Sequence, residues 1–278
     1  MAKHPAEVFG HPIETNSEEA IKDRKRHWCP FVGERCDKKS RLIKYPMGVC
    51  SVKYGEHAIA LSPRRFREDD IVFRDIADHY FGACGNIVIL KEVNLQGIGN
   101  FDFVMVKHKP LSVKVEDFVI VELQTAQTTS TGKLVKALKD YMKGEGIVGR
   151  TYSFGLNHAD IWKRTFTQIL NKGIVIEKWG AKIYWVVQEP IYVDFLNRYR
   201  LTQISYNTEH SIRFAIYDLK QVDNRYHLSQ TRIASSTTKD LFAAFSSNPH
   251  IPPKDDFLAK LSGKLQEKAY SELQSDRS

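Results

Sequence analysis

Apolar positions along the chain recur with two different periods. From Glu68 to Phe81, Ile71, Val72, Ile76, Tyr80 and Phe81 fall at the spacing of one helix face. Three β-rich runs follow, Asn86–Val93, Phe101–Lys107 and Asp117–Leu123, divided by Gly97 and Gly99 and then by Pro110. A helix is expected over Lys133–Lys143. A better-marked one covers Asn157–Asn171, where Asn157 can cap and Asp160 meets the positive end of the helix dipole. Lys182–Val187 reads as a buried strand and Glu189–Tyr199 as a short helix. Ser211–Leu219 and Tyr226–Ile233 read as strands, Lys239–Phe245 and Asp255–Ser275 as helices. This order predicts an α/β (α+β) core without internal repeats.

The first third of the chain follows neither period. Residues 1–21 are polar and mixed, which predicts an irregular arm. Residues 22–66 hold three of the four cysteines together with Pro30, Gly33, Pro46, Gly48, Gly55 and Pro63. So turn-rich a segment needs something besides a local core to hold it. The expected division is therefore 1–66, an arm with a cysteine-rich subdomain, and 67–278, a larger core with additional C-terminal elements.

Charge follows the same division. The 278-residue chain carries a net charge of +8. Between Lys22 and Arg67 there are 13 Lys and Arg against 4 Asp and Glu, a net +9, so the remainder is slightly acidic. A compact basic region suits contact with phosphates, because neutralising a nucleic-acid backbone releases counterions; Arg24, Lys25 and Arg26 are its densest run. A merely soluble surface would read the same way. The longest apolar stretches, Ile87–Leu90 and Phe118–Val121, are far below the ~20 residues of a membrane helix. The N-terminus lacks the apolar segment of a secretory signal, and four cysteines make no disulfide scaffold. The expectation is a cytoplasmic protein without a membrane partner.

Two constellations carry chemistry. Cys29, Cys36, Cys50 and Cys84 are separated by 6, 13 and 33 residues, without the close pair of a zinc ribbon. Thiolate ligation would nevertheless supply folding energy to a core-poor segment, and His27 and His57 are available nitrogen donors. The second constellation lies on the strands. Asp102 sits in Phe-Asp-Phe-Val-Met-Val, while Glu122 and Gln124, two apart, point to one side of the next strand. Two acids converging from neighbouring strands can bind a divalent cation through hard oxygens and promote phosphodiester hydrolysis. This is the pattern of PD-(D/E)xK nucleases, with Gln124 where lysine is usual. An edge strand with one solvated face would also produce it.

Taken together, these residues resemble the NotI-like family of type II restriction endonucleases. The similarity is collinear from about Trp28 to Gly132. It runs through Cys29-Pro-Phe, Cys36-Asp-Lys, Gly48-Val-Cys50-Ser-Val, Ser62-Pro-Arg-Arg-Phe66, Ile76-Ala-Asp and Glu92-Val. It continues in Gly99-Asn-Phe-Asp102-Phe-Val and Val121-Glu122-Leu-Gln124-Thr and ends in Thr129–Gly132 and Tyr141-Met. The resemblance implies a restriction-endonuclease-like PD-(D/E)xK core with Asp102, Glu122 and Gln124 as catalytic residues, and a small N-terminal unit binding iron or zinc through four cysteines. Cys29, Cys36 and Cys50 match that unit. Ser62 replaces the family's cysteine, so either Cys84 or a histidine takes the fourth position or the site is weakened or empty.

The implied activity is magnesium-dependent hydrolysis of both strands of a specific, G·C-rich palindromic DNA site. Asp102 and Glu122 would hold Mg2+, and Glu92 would be an accessory acid. A homodimer would mirror the twofold symmetry of the site, and a cognate DNA methyltransferase would belong to the same system. Two readings compete at this level: a structure-specific or repair nuclease on the same core, and a non-catalytic, metal-stapled DNA-binding protein.

Overall fold

The polar N-terminus is a strand, not an arm. In the computed structural model, which describes residues 2–82, 85–199, 201, 206–247 and 251–275, β1 (Lys3–Val8) pairs with β2 (His11–Pro12). Helix α1 (Glu18–Arg26) follows, with the Ser17 side chain capping the Ala20 amide. A short ladder joins β3 (Trp28–Cys29) to β4 (Glu34–Arg35). Next come β5 (Val49–Tyr54) and β6 (His57–Ala60), which complete an N-terminal sheet of order β2-β1-β5-β6. β1 escapes apolar patterning because it buries His4 and Glu7 beside Ala6 and Val8. The Glu7 carboxylate accepts from Ser51 Oγ at 2.6 Å and from Arg65 Nε at 2.9 Å.

Residues 22–66 therefore do have a core. Val49, Val52, Ile59 and Leu61 are buried in one apolar cluster with Ile120, Trp162, Trp185 and Phe214 of the larger part. Gly48 shows how tight this is. It holds φ at +51°, and a Cβ there would be driven into the Phe9 ring. Gly48→Ala should therefore cost roughly 2–4 kcal/mol, read as a lowered denaturant midpoint.

Pro63–Asp70 winds as a 3-10 segment, and α2 (Ile71–Phe81) begins three residues later than the pattern suggests. Glu68 leaves the helical region and Asp69 adopts φ 48°. The Glu68 carboxylate is committed elsewhere, to Arg65 Nη1 at 2.8 Å and the Leu228 amide at 2.6 Å.

The three β-rich runs form an antiparallel meander: β7 (Asn86–Leu95), β8 (Gly99–His108) and β9 (Val115–Leu123). The chain then crosses one face of the sheet through β10 (Thr128–Thr129), α3 (Thr131–Met142), β11 (Gly155–Leu156) and α4 (His158–Gln168). Asn157 Oδ1 caps α4 by accepting from the Asp160 amide at 3.2 Å. Helical winding continues past Gln168, but Ile169–Gly173 opens into a π-turn before α5 (Ile174–Lys178). β12 (Lys182–Gln188) inserts parallel to β9. After α6 (Glu189–Tyr199), β13 (Ile212–Val222) lies parallel to β12 and turns back into β14 (Arg225–Ser236).

The result is a mixed six-stranded sheet of order β14-β13-β12-β9-β8-β7, followed by α7 (Thr238–Ser246) and α8 (Lys254–Ser275). Both faces of the sheet are covered. Val104, Ile120 and Ile183 face the α4 side, whereas Met105, Val121 and Tyr184 pack with Val72 and Ile76 of α2. Among the described residues no helix is long and apolar enough to cross a membrane.

Candidate functional site

Register brings three acids into one row. On β8 and β9, Phe103 pairs with Val121, so the next step sets Asp102 opposite Glu122. On β7 and β8, Lys91 pairs with Phe103 and Val93 with Phe101, which sets Glu92 opposite Asp102. Glu92 holds φ at +52°, a conformation that costs a non-glycine residue on the order of 1 kcal/mol.

The three acids differ in environment. Asp102 is exposed, and its Oδ2 accepts from the Leu123 amide at 2.9 Å. Glu122 is buried. Its Oε1 accepts from Lys172 Nζ at 2.6 Å, and the Asp102 amide also donates to its carboxylate. Burial, reinforced by the negative charge of Asp102 and opposed by Lys172, pushes the Glu122 carboxyl up to about 7. Gln124 follows the end of β9 and is buried, with its amide donating to Val186 O at 2.8 Å on β12.

Asp102, Glu92 and Gln124 open into a cleft of about 1100 Å³ between the N-terminal unit and the sheet. Lys38, Lys39, Arg64, Arg67, Lys91 and Arg164 line it against four carboxylates. The basic excess of residues 22–67 thus reaches this cleft through residues 38, 39, 64 and 67. Arg24 and Arg26 do not take part. Arg24 is buried and donates to Thr15 O and Pro12 O, both at 2.7 Å, and Arg26 pairs with Asp23 at 2.9 Å. Arg24 ties α1 to the preceding loop, Arg26 pairs within the helix, and Lys25 is exposed.

The sequence model of the restriction endonuclease NotI family matches residues 7–229. The chain belongs to the NotI restriction endonuclease family. No curated protein matches it significantly. Membership implies a type II restriction endonuclease, a site-specific enzyme acting on double-stranded DNA, and the activity of such enzymes generally uses a divalent metal. The acids suit one: carboxylate oxygens are the hard donors Mg2+ prefers, and a dication would offset the repulsion that raises Glu122. The fold of this NotI-family chain is mixed α/β, as the sequence suggested.

The second expected metal fits less well. Burial raises the thiols of Cys29 and Cys50, and neighbouring cysteines add to it: Cys36 acts on Cys29, and Cys29 and Cys36 act on Cys50. The Ser62 backbone amide donates to Cys50 O at 3.2 Å. Positive charge is already supplied by Lys38, whose Nζ donates to Leu61 O at 3.0 Å, and by Arg64, which hydrogen-bonds Cys29. His27 stacks on Tyr45, and His57 is exposed on β6. Cys84 lies outside the described residues. Among those described, no group of three or more His, Cys, Asp or Glu is gathered to hold a metal. The described residues do not form the tetrahedral thiolate set expected for structural iron or zinc.

Sequence reasoning missed Lys172. Its only signal was a lone charge in the otherwise apolar run Ile169-Leu-Asn-Lys-Gly-Ile-Val-Ile.

Proposed function

We propose that this NotI-family protein hydrolyses both strands of a specific, G·C-rich palindromic DNA site in a Mg2+-dependent reaction on a PD-(D/E)xK core (67–278). The observation that carries the reading is the row Glu92, Asp102 and Glu122 across three adjacent strands, set at a basic cleft. Asp102 and Glu122 would hold Mg2+. When bound, the ion supplies a water of lowered pKa and charge stabilisation at the scissile phosphate. Gln124 cannot act as a general base, because its amide has no proton that titrates near neutrality. Its role is to donate a hydrogen bond to the attacking water or to a phosphate oxygen, and the proton leaves to bulk water or substrate. Glu92 is the accessory acid, at the exposed end of the row.

Cations of the cleft wall hold the duplex backbone and so position the phosphate over the acids. The N-terminal unit (1–66) supplies Lys38, Lys39 and Arg64 of that wall. A twofold dimer brings two such sites to one palindrome, and a cognate methyltransferase protects the host's own sites. Guanine edges are the natural targets of the additional Arg and Lys residues such a complex presents.

Incubating the protein and Mg2+ with phage DNA and sequencing the ends tests the reading. Discrete fragments with one common end sequence support it. Cuts confined to junctions would favour a repair nuclease, and binding without cutting would leave a DNA-binding protein. Salt provides a second check. Lys39 and Lys91 are exposed in the cleft. In Lys39→Glu and Lys91→Glu, the log–log salt slope of DNA binding should shallow by ~0.9 for each phosphate left without its cation. An unchanged slope would move the DNA to another surface.

A further inference from the structure

Lys172 is a buried cation that the reaction scheme leaves unused. Its side chain is 6% exposed, and an ammonium that far from water requires partners. It has two. Nζ donates to Glu122 Oε1 at 2.6 Å and to Asn100 O at 2.7 Å, and it lies 5.3 Å from the centroid of the Phe101 ring. Asn100 is two residues before Asp102 on β8, and Glu122 is on β9. One ammonium therefore ties together the two strands that carry the acids, at the level of the acids. Neither Lys172 nor Glu122 lines the cleft into which Asp102 opens, so Lys172 bears on a metal held by the two acids only through the Glu122 carboxylate.

The backbone is shaped for this contact. Lys172 lies within the π-turn Ile169–Gly173, the sole π segment among the described residues. An inserted π-turn redirects side chains and is frequent at functional sites. Thr165, Ile169, Lys172 and Ile176 form the buried face of this helical stretch, so a charge occupies a place otherwise given to apolar contact. Gly173 lets the turn approach β13 and α7, because a Cβ there would press on Ile212 and Thr238. A lysine serving only packing would be better replaced by an apolar residue, since burying a pair without other purpose is at best neutral.

We infer that Lys172 is the positioning residue of the catalytic centre: it fixes the Glu122 carboxylate against the Asp102 strand so that both acids face one divalent cation. The inference rests on the proposed nuclease reading and deepens it. Partners that orient metal ligands in this way typically account for 10–100-fold in metal affinity or activity.

The test is Ca2+ binding by calorimetry to the full chain, together with Mg2+ titration of phage-DNA cleavage. Lys172→Met should bind Ca2+ 10–100-fold more weakly and raise the half-saturating Mg2+ concentration by a similar factor, with a smaller drop in rate at saturation. A lysine with a merely structural role would lower the folded, active fraction and leave metal affinity unmoved. Lys172→Arg, which keeps the charge and a donor, should recover much of the affinity, and Lys172→Gln should not. These two variants decide the matter if Lys172→Met does not fold.

Equal Ca2+ affinity in folded Lys172→Met and wild type, with Asp102→Ala losing binding, would overturn the role of Lys172 and leave the nuclease reading standing. Wild-type protein that neither binds Ca2+ nor cuts DNA would overturn both.

Discussion

Glu122→Gln should abolish DNA cleavage, by at least ~10³-fold at ordinary Mg2+ concentrations. The substitution keeps the shape of a side chain buried beside Lys172 and Asp102 but leaves Lys172 without its counter-charge, so the variant is compared with wild type at equal folded fraction. What disappears is the negative charge that a dication requires. Asp102→Ala should have the same effect, since the two acids face each other across β8 and β9. Specific DNA binding measured in Ca2+-free buffer should survive both changes, because the cations of the cleft wall are untouched and one repulsive carboxylate is gone. Gln124→Ala should differ in kind. It removes a hydrogen-bond donor and no charge, and slow cleavage should persist, reduced about 10²-fold. Full activity of Glu122→Gln would place the chemistry away from these strands.

Arg65→Leu should lower the stability of the folded chain by about 3–5 kcal/mol, the usual result of removing one partner from a buried ion pair. Arg65 is wholly buried and donates from Nε to Glu7 at 2.9 Å, from Nη1 to Glu68 at 2.8 Å and from Nη2 to Tyr226 O. It joins β1 of the N-terminal sheet, the 3-10 segment and the edge strand β14. Burial already raises the Glu7 carboxyl above its ordinary value, and Arg65 is the main force opposing that rise. Without it Glu7 enters the core best as the neutral acid. The sign follows: the loss should be small where Glu7 is protonated in both states and should grow as pH rises through its raised folded value. Unfolding Arg65→Leu at acid and neutral pH reads this directly. Arg64→Leu is the control. Its nearest partner, Asp37 at 2.7 Å, is exposed, and surface pairs of that kind contribute under about 1 kcal/mol.

The meander, α6 and the β13–β14 hairpin were legible in the sequence because their apolar patterns are set locally, those of the meander bounded by glycines and Pro110. The α4 cap was legible because Asn157 and Asp160 are neighbours in the chain. β1 was not, since Glu7 becomes a core residue only through Ser51 and Arg65, 44 and 58 positions away. The start of α2 shifted because Glu68 is drawn to Leu228 N, 160 residues on. In the site, Asp102, Glu122 and Gln124 could be read from strand alternation. Glu92 needed the register of β7 and β8 to gain its place in the row, and Lys172 needed a π-turn that no periodicity announces. Arg24 of the basic run is committed to the backbone carbonyls of Pro12 and Thr15, which charge in a sequence does not reveal.

The acids and their cation also differ in when they can meet. Glu92, Asp102 and Glu122 belong to one continuous meander closed by short hairpins, whereas Lys172 comes from 50 residues beyond Glu122. Short loops close with less entropy lost than long ones, so the row of carboxylates can align while the helical crossover is still undocked. A chain in that condition holds mutually repelling acids without their counter-charge. Docking of Lys172 then supplies that counter-charge, and pulse-labelled hydrogen exchange should record protection of β8 and β9 ahead of Ile169–Gly173.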